Sequence, residues 1–92
     1  MKFEWDEEKS NVNFLKYKIT FNQAVRLWDN EYMEINNVAK TVSGEIRNAI
    51  IGKIDEKLWV LFWTKRKNKI RIISVRRARD AEKEKYCKTN KK

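Results

Sequence analysis

The chain has 92 residues, 41% of them hydrophobic and 38% charged, with a formal net charge of +9, no histidine, no proline, two glycines and one cysteine. That is enough for one modest core, so a single domain over residues 1–92 is expected, and so little Gly and Pro leaves no linker or low-complexity tract. Without histidine, and with Cys87 alone, His-based zinc sites, Ser-His-Asp triads, paired-histidine ribonuclease chemistry and internal disulfides are excluded, and neither a metal nor a cofactor is expected.

The opening Lys2–Trp5 alternates Phe3 and Trp5 with polar residues and predicts a short strand. MKFEWDEEK carries acids where a signal peptide has an apolar stretch, and no apolar run reaches the roughly 18–20 residues of a membrane span, so a cytoplasmic protein with no membrane partner is expected. Asp6 is placed to cap a helix over Glu7–Tyr17, with Glu7 and Glu8 in its first turn, where the helix dipole favours acids. Val12 and Leu15 are expected to face inward, flanked by Phe14. Asp6, Glu7 and Glu8 also have the composition of a general-base cluster, but capping already accounts for their position.

A second helix follows. Thr20 and Gln23 have capping-box spacing, with Ile19 and Ala24 as the staple, and Phe21, Ala24, Val25 and Trp28 form an apolar stripe directed at the core. Tyr32–Ile35 reads as a short strand and the stretch after it, up to Ser43, as an irregular connection. Three stronger strands come next, Glu45–Ile54, Leu58–Lys65 and Lys69–Val75, joined by links short enough for hairpins. Leu58–Trp63 is apolar on both faces, which marks a central strand. A last helix over Arg79–Lys88 has only Ala81 and Tyr86 to anchor it, and Cys87 near its end is incidental. The fold class predicted is α+β: a small antiparallel sheet built on a central three-strand meander, packed with two N-terminal helices and a C-terminal helix.

Residues 1–64 carry nine Lys and Arg against ten Asp and Glu, whereas residues 65–92 carry thirteen against three, so the charge excess belongs to the last third. Polyanionic partners are favoured, nucleic acid among them. Strand alternation sorts the last hairpin onto two faces. One carries Val60, Phe62, Thr64 and Arg66 with Arg71, Ile73 and Val75; the other carries Trp59, Leu61, Trp63 and Lys65 with Ile70, Ile72, Ser74 and Arg76 and is expected to meet the helices. RIISVRRA, residues 71–78, thus sets arginines at both ends of an apolar strand. Planar guanidinium forks suit phosphate, but a solvated strand edge protected against aggregation has the same composition, and both readings stand on residues alone. Trp5, Trp28, Trp59 and Trp63 are expected mostly in the core, and Tyr86 as the anchor of its helix.

Together these motifs resemble the BrnT toxins of bacterial type II toxin-antitoxin systems. The resemblance lies in Phe3-Glu4-Trp5-Asp6-Glu7-Glu8-Lys9, in Asn13 and Lys16, in Phe21, Ala24 and Asp29, in Gly52, in Thr64 with Arg66, and in Arg71 to Ala78 followed by Glu82 and Tyr86. It implies a RelE-like fold and a ribonuclease toxin that cleaves RNA and stops translation. It further implies a BrnA-type antitoxin as partner, with operator DNA bound indirectly through that antitoxin. Where the family usually has Lys-His-Gly, this chain has Lys16-Tyr17-Lys18, losing both a histidine and a glycine suited to ending a helix.

On this reading the enzyme is a metal-independent endoribonuclease that forms a cyclic phosphate and a free 5′-hydroxyl. Arg66, Arg71 and Arg76 are the candidate catalytic cations, with Lys16, Thr64, Arg77 and Tyr86 binding or positioning RNA. Lys16 or Tyr86, its pKa lowered by nearby arginines, is the expected base. The alternative is a catalytically weak or inactive basic module that binds RNA or the antitoxin.

Overall fold

The computed structural model describes residues 2–40 and 44–89, except the side chains of 37–40 and 89. Strands β1 (Lys2–Glu4), β2 (Tyr32–Lys40), β3 (Ile46–Ile54), β4 (Lys57–Arg66) and β5 (Lys69–Arg77) form a mixed five-stranded sheet in the order β1-β5-β4-β3-β2. Helix α1 spans Glu7–Tyr17, α2 is a single turn at Phe21–Ala24 continued by a 3₁₀ segment at Val25–Asp29, and α3 spans Asp80–Thr89. The α+β class and the three-strand meander are present, with β4 at the centre. The sheet is larger than expected, because Tyr32 begins a strand that runs on to Lys40; the end of the supposed irregular connection, Thr41–Ser43, lies outside the described residues. It is also mixed, because β1 pairs parallel with β5, Glu4 lying opposite Arg71.

Asp6 caps α1 by accepting from the N–H groups of Glu8 and Lys9, and Thr20 and Gln23 complete the capping box of α2. The 3₁₀ continuation changes the period of the apolar stripe. At three residues per turn, Leu27 follows Ala24 into the core and both are fully buried, while Val25 and Trp28 are only half-buried. Trp28 packs its ring among Phe3, Tyr32 and Trp63, with centroids 5.0–6.4 Å apart.

Helix α1 is turned the other way from the expectation. Leu15 is 71% exposed, Val12 51% and Phe14 42%, while Ser10 and Asn13 are buried. The cause lies in the sheet edge. β1 pairs with β5 only at residues 69–71, so further along β5 the backbone needs another partner. Asn13 Oδ1 accepts from the Val75 N–H at 3.2 Å, its Nδ2 donates to the Ile19 carbonyl at 3.0 Å, and Ser10 Oγ accepts from the Phe21 N–H at 3.0 Å. The contact face of α1 is therefore polar, and its aliphatic residues remain outside.

Two apolar clusters lie on the two faces of the sheet. Under α2 and the 3₁₀ segment are Ile50, Ile54, Trp59, Leu61, Ile72 and Val75, together with Phe21, Ala24 and Leu27. Ala49, Ile51, Val60 and Ala78 form the other cluster, joined by Phe62 and by Tyr86 from α3. Ala81, expected to anchor α3, is exposed, and Ala78 just before the helix is buried in its place.

Candidate functional site

The β4–β5 hairpin turns at Lys67-Asn68, so Thr64 lies opposite Arg71 and Arg66 opposite Lys69. Phe62 pairs with Ser74 but Trp63 with Ile72, leaving Ile73 as an extra residue in a β-bulge. The bulge reverses the expected faces beyond it. Val75 turns to the helix-covered side opposite Leu61, and Arg76 turns to the other side opposite Val60. The assignment of Val75, Ser74 and Arg76 by uninterrupted alternation is thus corrected by one inserted residue.

On the α3 side of the sheet the strands map into rows. Ala49, Phe62 and Ser74 form one row and Ile51, Val60 and Arg76 the next, and α3 roofs this half through Tyr86 and Ala78. Toward the hairpin tip, one row has Thr64, Arg71 and Glu4 and the other has Arg66, Lys69 and Lys2. Arg47, preceding the Asn48 that pairs with Trp63, falls by alternation on the same face as Thr64. Its Nε is buried and finds no hydrogen-bond partner among the described residues. A cleft of about 620 Å³ opens here, lined by Lys2, Glu4, Arg66, Lys67, Asn68 and Lys69. Half of this face is apolar and covered; the other half is strongly basic.

Each of the three candidate catalytic arginines has a carboxylate beside it. Arg66 Nη2 lies 3.2 Å from Glu45, and Arg71 Nη1 lies 3.2 Å from Glu4. Arg76 makes a bidentate pair with Glu82 at 2.8 and 2.7 Å, and its guanidinium stands 5.3 Å over the Phe62 ring. The hydrogen bond to Glu82, strengthened by its charge and opposed by burial, raises the Arg76 pKa above its ordinary value. The same hydrogen bond from Arg76 and a further one from the Arg79 N–H hold the Glu82 carboxyl below the usual carboxylate range, against the opposing effect of burial. Arg76 thus ties β5 to α3, whereas Arg66 and Arg71 stand at the open end.

The positioning residues separate similarly. Thr64 is 2% exposed and its hydroxyl donates to the Ile46 carbonyl at 2.7 Å, so it fastens β3 to β4 and does not reach a ligand directly. Arg77 points to the opposite face from Arg76, its guanidinium 5.4 Å over the Trp59 ring. Lys16 is exposed on α1 and lines a separate groove of about 420 Å³ with Val12, Tyr17, Ile73 and Ser74. The Tyr86 hydroxyl donates to the Glu31 carbonyl at 3.3 Å, and burial first, then Glu31 and Cys87, push its pKa up. That direction is opposite to the lowered pKa expected of a base. Glu4, Arg47, Lys2 and Lys69 escaped the sequence reading. Alternation could have placed Arg47 beside Thr64, but nothing local signals that β1 would return against β5.

Among the described residues no group of three or more His, Cys, Asp and Glu is arranged to hold a metal. No helix among them is long and apolar enough to cross a membrane. The family model for the ribonuclease toxin BrnT of type II toxin-antitoxin systems matches residues 5–82, most of the chain. The chain belongs to the BrnT toxin family. Membership in a family of ribonuclease toxins makes RNA the substrate class and a protein antitoxin the partner. In this BrnT-family chain the matched span includes Arg66, Arg71, Arg76, Arg77 and Glu82 and stops before Tyr86. No curated protein matches the chain.

Proposed function

We propose that this BrnT-family chain is a metal-independent endoribonuclease that engages RNA on the open basic half of its sheet. One observation carries this reading: Arg66 and Arg71 lie in adjacent rows at the hairpin tip, beside Lys69 and Lys2, on the part of the face that α3 leaves uncovered. Arg66 and Arg71 are diagonal neighbours on paired strands, roughly 7–8 Å apart at their backbones, which is within reach for two long guanidinium side chains to grip one phosphodiester. With no histidine in the chain, positioning and charge stabilisation carry the rate, and the 2′-oxygen displaces the 5′-oxygen to leave a cyclic phosphate. Arg76 serves this site at one remove, by holding α3 against the sheet. The α+β architecture with a C-terminal helix supports a RelE-like relationship. A BrnA-type antitoxin is the partner, operator DNA is reached through it, and the protein acts in the cytoplasm.

Arg71→Ala tests this directly. Purified wild type is expected to cut RNA and, on induction in a bacterial host, to arrest growth until a BrnA-type antitoxin is co-expressed. Arg71→Ala is expected to lose roughly 10²–10³-fold in cleavage rate with unchanged circular dichroism, the scale seen when one charge-stabilising donor is removed.

A second reading, a binding module without turnover, is favoured by Tyr17 in the family's histidine position. Wild type that binds RNA with an unaltered fold yet leaves it intact would establish that reading instead.

A further inference from the structure

We infer that Glu4 is the general base of this site, acting in the cleft at the tip of the β4–β5 hairpin. The inference rests on the ribonuclease reading above. Parallel pairing of β1 with β5 sets Glu4 opposite Arg71 although the two are 67 residues apart in sequence. Its Oε2 lies 3.2 Å from Arg71 Nη1 and its Oε1 3.8 Å from Lys69 Nζ. Of the described residues lining the cleft, Lys2, Arg66, Lys67 and Lys69 are cations, Asn68 is neutral, and Glu4 alone is a carboxylate. A cleft of that sign collects phosphodiesters, with Arg66 and Lys69 in its lining to hold them, and its carboxylate pairs with Arg71, which stands next to the lining and not in it.

The other acceptors are engaged elsewhere. Glu82 is held bidentately by Arg76, and Glu45 does not line the cleft. The Tyr86 hydroxyl belongs to the roofed half, where it donates to Glu31. Asp6 is committed to capping α1.

In the step that follows, the Glu4 carboxylate takes the proton of the ribose 2′-hydroxyl. The 2′-oxygen forms a bond to phosphorus as the bond from phosphorus to the 5′-oxygen breaks. The departing 5′-oxygen takes a proton from water in the open cleft, and Glu4 returns its proton to solvent. Arg66, Arg71 and Lys69 neutralise the charge that grows on the phosphoryl oxygens. The competing explanation is that Glu4 only pairs with Arg71 across the strands.

Glu4→Gln separates the two, because it keeps the shape and the acceptor oxygen but cannot take the proton. Cleavage of a defined RNA oligonucleotide is followed under single-turnover conditions from acidic to neutral pH, with binding measured on the same oligonucleotide carrying 2′-deoxyribose at the cut position. A drop of roughly 10²–10⁴-fold with binding preserved is expected. In the wild type the rate rises with pH along an acid limb, which Glu4→Asp retains and Glu4→Gln loses. Cleavage by Glu4→Gln within tenfold of wild type, or an unchanged acid limb in that variant, would overturn the role of Glu4 while leaving the ribonuclease reading intact. A wild type with no acid limb would do so even if Glu4→Gln did not fold. Wild type that binds the oligonucleotide and leaves it whole would overturn both.

Discussion

Lys18 shows how one residue can oppose its own backbone. It ends α1 at φ 65° and ψ 32°, donating its N–H to the Phe14 carbonyl at 2.8 Å, in the left-handed conformation that glycine adopts freely. A lysine there suffers the contact of its Cβ with the neighbouring carbonyl. Lys18→Gly is therefore expected to stabilise the fold by about 0.5–1 kcal/mol, read as a higher denaturation midpoint at unchanged slope. A glycine at this position, which the resemblance to the family implies, has a geometric reason in this left-handed backbone. Asn13 is the contrasting case. Nothing in its neighbourhood marks it as a buried bridge between the Ile19 carbonyl and the Val75 N–H, because both partners come from backbone that only the fold brings near.

At the scale of elements, Tyr86 of α3, Ala78 just before the helix and the Arg76–Glu82 pair at its start hold α3 to the sheet. Glu82 also accepts from the Arg79 N–H at 2.8 Å, which closes the first turn of the helix. Its carboxyl is lowered in the folded state, so the pair's contribution is present above the ordinary carboxylate range and is lost as pH falls through the lowered value. Glu82→Gln is expected to cost about 1.5–3 kcal/mol at neutral pH, the usual value of hydrogen bonds to charged groups. Its stability should converge on that of wild type as pH drops below the carboxylate range, which parallel denaturation series would show. A constant gap at all pH values would mean that packing of the Glu82 stem matters more than its charge.

Over the whole molecule, part of the positive charge of residues 65–92, that of Arg66, Lys67, Lys69 and Arg71, gathers at the tip of the β4–β5 hairpin. Parallel pairing adds Lys2 to Lys69, Arg66 and Arg71, while α3 covers the apolar remainder of the same face. A site of this kind should bind single-stranded RNA with marked salt dependence. Each phosphate contact contributes a slope of about −0.7 in log K against log salt, so Arg66→Ala and Arg71→Ala should each flatten the plot by about 0.7. Arg77→Ala, on the opposite face beside Trp59, should leave the slope unchanged. Titration of a labelled oligonucleotide across a salt series distinguishes these variants.

The sequence by itself determined the elements whose signals are local: the capped start of α1, the capping box of α2, the meander with β4 at its centre, and the basic last third. Each depends on residues a few positions apart, or on composition that no folding alters. The tertiary structure decided the rest. One bulged residue at Ile73 sent Arg76 to the α3 side and Val75 to the core, a reversal that alternation cannot foresee because it assumes an unbroken register. The exposed end of β5 drew the polar side of α1 inward, since an N–H deprived of a strand partner must find another acceptor. The return of β1 against β5 put Glu4 beside Arg71, an encounter between distant residues that exists only once the sheet has closed.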